Sequence, residues 1–81
     1  MLMRINEIAD LFQCSSSVVT NCRRIIKDHQ ERYGAYSISG TLTNAACFLD
    51  AYTYRKNFAQ GLPLPEYDEL KAVQIIKEMM S

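Results

Sequence analysis

Three basic residues lie between Asp10 and Asp28, and this stretch contains no acidic residue. In a helix over residues 16–30, at 100° per residue, the cations share one side with hydroxyl groups from the start of the helix. This polar face consists of Ser16, Ser17, Thr20, Arg23, Arg24 and Lys27. Guanidinium and ammonium groups bind phosphates, and a guanidinium fork also binds guanine through two hydrogen bonds. The pattern therefore favours a nucleic-acid ligand.

The residues of this face have different expected roles. Arg23 and Arg24 are the best candidates for base or phosphate contacts, while the hydroxyl groups near the helix start donate to phosphates or read bases. Asn21 lies nearer the core edge and is a weaker candidate. Sequence-independent phosphate contacts are expected from three further cations, Lys27, Arg55 and Lys56. For each charge taken singly, the alternative is an ordinary solvated helix face.

Catalytic chemistry is not indicated by the sequence. It contains no Ser/His/Asp set, paired carboxylate site or Gly-rich phosphate loop. Asp28 and His29 are neighbours, but a helix points adjacent side chains apart, and His29 is expected to interact with the helix end. We therefore expect no enzyme and no cofactor.

The cysteines Cys14, Cys22 and Cys47 are odd in number and lie within or beside apolar segments. In a reducing compartment such residues behave as small buried hydrophobes. A metal site requires clustered ligands, typically two CxxC pairs, and the only histidine is His29. No metal site is expected.

Composition predicts one ordinary globular domain. The chain has 81 residues, 48% of them hydrophobic and 22% charged. No apolar run approaches the roughly 18–20 residues that span a bilayer, and the start of the chain lacks a signal peptide pattern, so we expect a cytoplasmic protein. The net charge is zero. Residues 1–60 hold seven basic and five acidic side chains, whereas residues 61–81 hold two and four. Local charge matters more to a phosphate backbone than this sum.

Hydrophobic periodicity predicts a mainly α fold with a short β-hairpin and about four helices. The first helix covers residues 5–12, and Ser15 caps a second helix that Gly34 ends. Residues 35–44 form the hairpin, with a turn at Ser39-Gly40. A helix over 45–59 ends at Gly61, and Pro65 lies in the first turn of a last helix.

The aromatic side chains are expected to build the core rather than a base-stacking platform, which would expose them on a sheet or groove. Four of them fall in the single predicted helix over residues 45–59. The set is Tyr33, Tyr36, Phe48, Tyr52, Tyr54, Phe58 and Tyr67.

The pattern Glu7-Ile8-Ala9-x-Leu11-x-x-x-Ser15-x-x-x-Val19 resembles the helix-turn-helix signature of many bacterial and phage regulators. The match covers residues 4–27. Small Ala9 would let the two helices cross closely, whereas Gln13-Cys14 stand where such turns often carry Gly and Val. The resemblance implies a recognition helix in the major groove of duplex DNA.

The remainder is similar to small winged helix-turn-helix proteins of phages and mobile elements, including excisionase-like ones. The similarity rests on the hairpin followed by Phe48-Leu49-Asp50-x-Tyr52-x-Tyr54-Arg55-Lys56. It implies a winged helix-turn-helix core over 1–61 and a wing that touches the DNA backbone or minor groove. The expected tip is Ser37, Ser39, Gly40 and Thr41. The resemblance therefore implies that the protein is a sequence-specific DNA-binding regulator or an excisionase-like accessory factor.

A protein-binding module is the main alternative. The same scaffold can sequester a repressor or inhibit a nuclease, because a fold does not fix function. Zero net charge, an acidic last helix and its Met79-Met80 end favour this alternative. The helix within 62–81 either mediates a homodimer through residues 70–80 or folds back over Phe48 and Tyr52.

Overall fold

The computed structural model describes all 81 residues and is mainly helical, with one small antiparallel sheet. This confirms the predicted mainly α fold with a β-hairpin, but there are six helices instead of about four. The elements in chain order are β1 (Leu2–Met3), α1 (Ile5–Phe12), α2 (Ser16–Asp28), α3 (Gln30–Tyr33), β2 (Ile38–Ser39), β3 (Leu42–Asn44), α4 (Ala45–Thr53), α5 (Arg55–Gln60) and α6 (Glu69–Met79).

The helix α1 has the predicted bounds. Its start is fixed by the Arg4 backbone N–H, which donates to Glu7 Oε1 at 2.9 Å. It ends at Gln13, which adopts a left-handed backbone with φ 54° and ψ 47°. Only a few per cent of residues other than glycine have a positive φ, because the Cβ crowds the backbone there. Gln13 therefore ends α1 in a left-handed conformation, at a position where helix-turn-helix turns often carry glycine.

Ser15 caps α2 as predicted. Its Oγ accepts a hydrogen bond from the Val18 backbone N–H at 3.3 Å, which satisfies one of the free donors of the first turn. The helix was expected to continue to Gly34, but it ends at Asp28. His29 leaves the helical region, with φ −129° and ψ 51°, and the chain resumes as the short α3.

The sheet has the strand order β1-β3-β2, and both pairs are antiparallel. Ser39 is the partner of Leu42, so the hairpin turn consists of Gly40 and Thr41 and lies one residue later than predicted. Gly40 has φ 59°, and glycine adopts such an angle without steric cost. The strand β1 was not predicted, because its partner β3 is remote in sequence: Leu2 pairs with Asn44.

The predicted helix over 45–59 is divided at Tyr54, where φ is −105° and ψ is 21°. The last helix also begins later than predicted. Asp68 caps α6 through Oδ1, which accepts from the Lys71 backbone N–H at 3.0 Å, so Pro65 lies in the connector and not in the first turn. The helix α6 packs on α4 and buries Ala72 and Ile76.

The core lies where α1, α2 and α4 meet. Phe48 of α4 is fully buried, and its ring is 4.7 Å from that of Phe12 and 5.6 Å from that of Tyr52. Eight buried side chains form one continuous cluster: Ile8, Val19, Cys22, Ile26, Tyr33, Cys47, Phe48 and Ala51. None of the six helices has both the length and the apolar composition that spanning a bilayer requires. The core therefore fixes α2 through its apolar side and leaves its polar side outward.

Candidate nucleic-acid interface

The outward face of α2 is exposed along the length of the helix. Its exposed candidate residues are Ser16, Ser17, Thr20, Arg24 and Lys27. Neither Arg24 nor Lys27 forms an ion pair, since the protein has a single ion pair elsewhere. The acidic C-terminal segment does not cover this face, because α6 packs on α4. The face therefore presents hydroxyl groups and two unpaired cations to solvent.

Arg23 differs from its neighbours on α2. It was expected to face solvent, but it is half-buried, and its guanidinium reaches the β2–β3 hairpin. Nη1 donates to the Thr41 carbonyl at 2.7 Å and to Thr43 Oγ1 at 3.2 Å, while Nη2 donates to the Gly40 carbonyl at 2.6 Å. The expectation that Arg23 lies on the solvent face is therefore wrong. Its two terminal nitrogens are engaged by the hairpin.

The hairpin turn is smaller than the expected tip. Ser37 is buried and its Oγ donates to the Gly34 carbonyl at 2.8 Å, so it belongs to the base of the hairpin and not to its tip. Ser39, Gly40 and Thr41 are exposed. No side chain of the turn carries a charge, so any anion contact there must come from backbone N–H groups.

Arg55 lies beside the α1–α2 turn. Its guanidinium carbon is 4.1 Å from the centre of the Tyr52 ring, within the range of a cation–π interaction. Burial raises the pKa of Cys14 and Cys22, and the positive charge of Arg55 opposes this in both thiols. The Tyr52 ring lies 5.6 Å from that of Phe12, the last residue of α1, so Arg55 brings a cation from α5 close to the α1–α2 turn. Lys56 is exposed and has no ion-pair partner.

Arg32 differs from Arg55 and Lys56, because its guanidinium is bound within the protein and is not free for a ligand. Its Nε and Nη2 donate to the two carboxylate oxygens of Asp50 at 2.9 and 3.1 Å, and Tyr33 donates its hydroxyl proton to Asp50 Oδ2 at 2.6 Å. Burial raises the pKa of Tyr33, and its hydrogen bond to Asp50 adds to this effect. The network joins α3 to α4. Sequence reasoning missed it, because the partners are 17 and 18 residues apart.

The remaining candidate groups have structural positions. Cys22 and Cys47 are buried, and no group of three or more His, Cys, Asp or Glu side chains is arranged to hold a metal ion. His29 Nδ1 is 2.8 Å from the Ile25 carbonyl, at the end of α2 as expected. Tyr36, expected in the core, is 91% exposed at the base of the hairpin, which corrects that expectation.

Three observations define the candidate interface: the free polar face of α2, the hairpin held against α2 by Arg23, and the Arg55 side chain of α5 beside the α1–α2 turn. These groups suit a polyanion, because they supply charges and donors, and the only carboxylate of α2 is Asp28 at its last residue. Comparison of the chain with protein-family models, with curated proteins and with solved structures found no match.

Proposed function

We propose that the protein is a winged helix-turn-helix DNA-binding protein, a sequence-specific regulator or an excisionase-like accessory factor. The observation that carries the proposal is the exposed face of α2, which has no carboxylate before its last residue, Asp28, and on which Arg24 and Lys27 have no ion-pair partner. Cations without a salt-bridge partner favour binding to phosphates, since no internal salt bridge must first be broken.

The dimensions of α2 suit a major groove. The groove is about 12 Å wide and admits one helix, and a helix of 13 residues is about 20 Å long. In helix-turn-helix proteins the N-terminal residues of the recognition helix meet base edges. Ser16, Ser17 and Thr20 hold those positions here, while Arg24 and Lys27 lie further along and reach bases or phosphates.

The β2–β3 hairpin takes the place of the wing. It contacts α2 and is hydrogen-bonded to β1 on its other side, so it is supported from two directions. Arg55 and Lys56 lie on α5, which also contacts α2. In this arrangement they serve as phosphate contacts that hold the register of the protein on the duplex without reading sequence.

A protein-binding role has one observation in its favour. Leu70 is 85% exposed at the start of α6, and an open groove elsewhere on this part of the molecule has walls that include Leu49, Pro65 and Ile75. Single exposed leucines are common on soluble proteins, so this surface supports a partner or a second copy of the chain less strongly than α2 supports DNA.

Binding to a short fluorescent duplex of random sequence tests the proposal. We expect fluorescence anisotropy to show binding at about 50 mM salt that weakens steeply toward about 200 mM, because each neutralised phosphate releases counterions. Four cations, Arg24, Lys27, Arg55 and Lys56, give a slope of log K against log salt of about −3 to −4. No binding at the lowest salt would overturn the proposal and favour the protein-binding alternative.

A further inference from the structure

The Arg23 guanidinium forms three hydrogen bonds within the protein, and it would have to break them to bind DNA directly. It binds two successive carbonyls, those of Gly40 and Thr41, at 2.6 and 2.7 Å, and the hydroxyl of Thr43 at 3.2 Å. Thr43 is fully buried and lies in the central strand of the sheet. The side chain therefore joins α2 both to the hairpin turn and to the strand that anchors it.

The contact fixes the direction of the turn's peptide groups. In a trans peptide the C=O and the following N–H point in opposite directions. The Gly40 carbonyl points toward Arg23, so the Thr41 N–H points away from it. Thr41 is exposed, and its N–H donates to no group in the protein. The turn therefore presents an oriented, unpartnered donor, and the guanidinium polarises the same peptide group from behind.

We propose that Arg23 is a positioning residue, which holds the Gly40–Thr41 turn against α2 so that the Thr41 N–H donates to a DNA phosphate. The inference rests on the proposed function. It assigns the phosphate contact of the hairpin to the main chain, which explains how a turn without Lys or Arg binds a polyanion. Backbone N–H groups are common phosphate donors in protein–DNA complexes.

The Arg23→Lys variant distinguishes a positioning role from a direct contact. Lysine keeps the positive charge but cannot bind two carbonyls and a hydroxyl with one planar fork. If Arg23 met DNA as a charge, lysine would retain most of the affinity. In the positioning role, Arg23→Lys weakens duplex binding about tenfold, the effect of losing one hydrogen bond to a charged group. Arg4→Lys is the matched control, because Arg4 is exposed and lies outside the proposed interface, so this variant keeps the wild-type affinity.

Two-dimensional NMR of the ¹⁵N-labelled full chain, titrated with a short duplex, reads the turn directly. We expect the Thr41 amide signal to shift downfield on DNA addition in the wild type and in Arg4→Lys. In Arg23→Lys the Gly40 and Thr41 signals should differ already in the free protein, and the Thr41 signal should no longer respond. Unchanged circular dichroism shows that the variants are folded.

Each contrary result has its own meaning. A wild-type Thr41 signal that stays in place while α2 signals shift would overturn the phosphate site at the turn and leave the proposed function standing. An Arg23→Lys variant with wild-type turn signals and wild-type affinity would overturn the positioning role. A complete lack of response to DNA at low salt would overturn the proposed function itself, and this inference with it.

Discussion

Arg32 and Asp50 form a two-bond ion pair, with Nε–Oδ2 at 2.9 Å and Nη2–Oδ1 at 3.1 Å, and their side chains are only 13% and 10% exposed. The pair ties α3 to α4. It also takes one arginine and one carboxylate out of contact with any ligand. Of the cations that have no ion-pair partner, Arg24 and Lys27 lie on α2, and Arg55 and Lys56 lie on α5.

Removal of this carboxylate should destabilise the fold. Asp50→Ala leaves Arg32 and the Tyr33 hydroxyl without their acceptor, which costs about 2–4 kcal/mol in the free energy of unfolding. Urea denaturation followed by circular dichroism measures the loss. Glu31→Gln is the control, because Glu31 is exposed and its replacement changes stability by less than about 0.5 kcal/mol. Equal stability of the two variants would show that the network contributes nothing.

The stability should fall at alkaline pH. Burial raises the pKa of Cys22 from 9.0 to about 11 and also raises the pKa of Tyr33. A raised pKa in the folded state means that the stabilisation is complete below pH 9 and is lost as the pH rises toward 11, since the unfolded chain ionises first.

Urea midpoints under reducing conditions measure this decline. Cys22→Ala should show a shallower decline than the wild type, although it is less stable throughout. Tyr36→Phe changes an exposed tyrosine and should follow the wild-type curve. Constant stability from about pH 8.5 to 10.5 would contradict the expected linkage.

The last helix should contribute to the fold of a single chain. Ile76 is fully buried against the core, so Ile76→Ala should cost about 2–4 kcal/mol, whereas Leu70→Ala, at an 85% exposed position, should cost less than about 0.5 kcal/mol. Thermal unfolding at several protein concentrations separates this role from dimerisation. A midpoint that rises with concentration in the wild type, and not in Leu70→Ala, would show instead that α6 joins two copies.

Replacement of Ser15 should affect stability, whereas replacement of Ser17 should affect DNA binding. Ser15→Ala removes the cap of α2 and should lower stability by about 1 kcal/mol, with little change in duplex affinity while the protein is folded. Ser17→Ala should do the opposite, since Ser17 is exposed and caps nothing. Paired measurements of unfolding and of duplex binding test both. The assignment of Ser17 to the interface fails if its replacement leaves affinity unchanged.

Local signals in the sequence predicted the local structure well. The apolar spacing of residues 5–12 gave the bounds of α1, and the serine cap gave the start of α2, because both depend on neighbours within one or two turns. The hairpin was predicted from alternation and its glycine, with an error of one residue in the turn. Composition and spacing also predicted that Cys22 and Cys47 are buried.

Contacts between distant segments were the part that the sequence did not reveal. Arg23 belongs to the basic pattern of α2, but its partners lie 17 to 20 residues away on the hairpin. The pairing of β1 with β3 depends on a still more remote segment, since Leu2 pairs with Asn44. The same holds for Arg32 and Asp50, which local charge patterns cannot distinguish from free surface charges. Whether a basic side chain faces solvent or another element is decided by tertiary packing.

The salt dependence of duplex binding in two double variants is the most direct test of the central claim. Arg24→Gln with Lys27→Gln removes two charges from α2, and Lys71→Gln with Lys77→Gln removes two exposed charges from α6. The α2 variant should bind random duplex more weakly, with a slope of log K against log salt reduced by about two, while the α6 variant should keep the wild-type slope and affinity. An equal loss in both variants, or no loss in the α2 variant, would contradict the assignment of α2 as the DNA-binding helix.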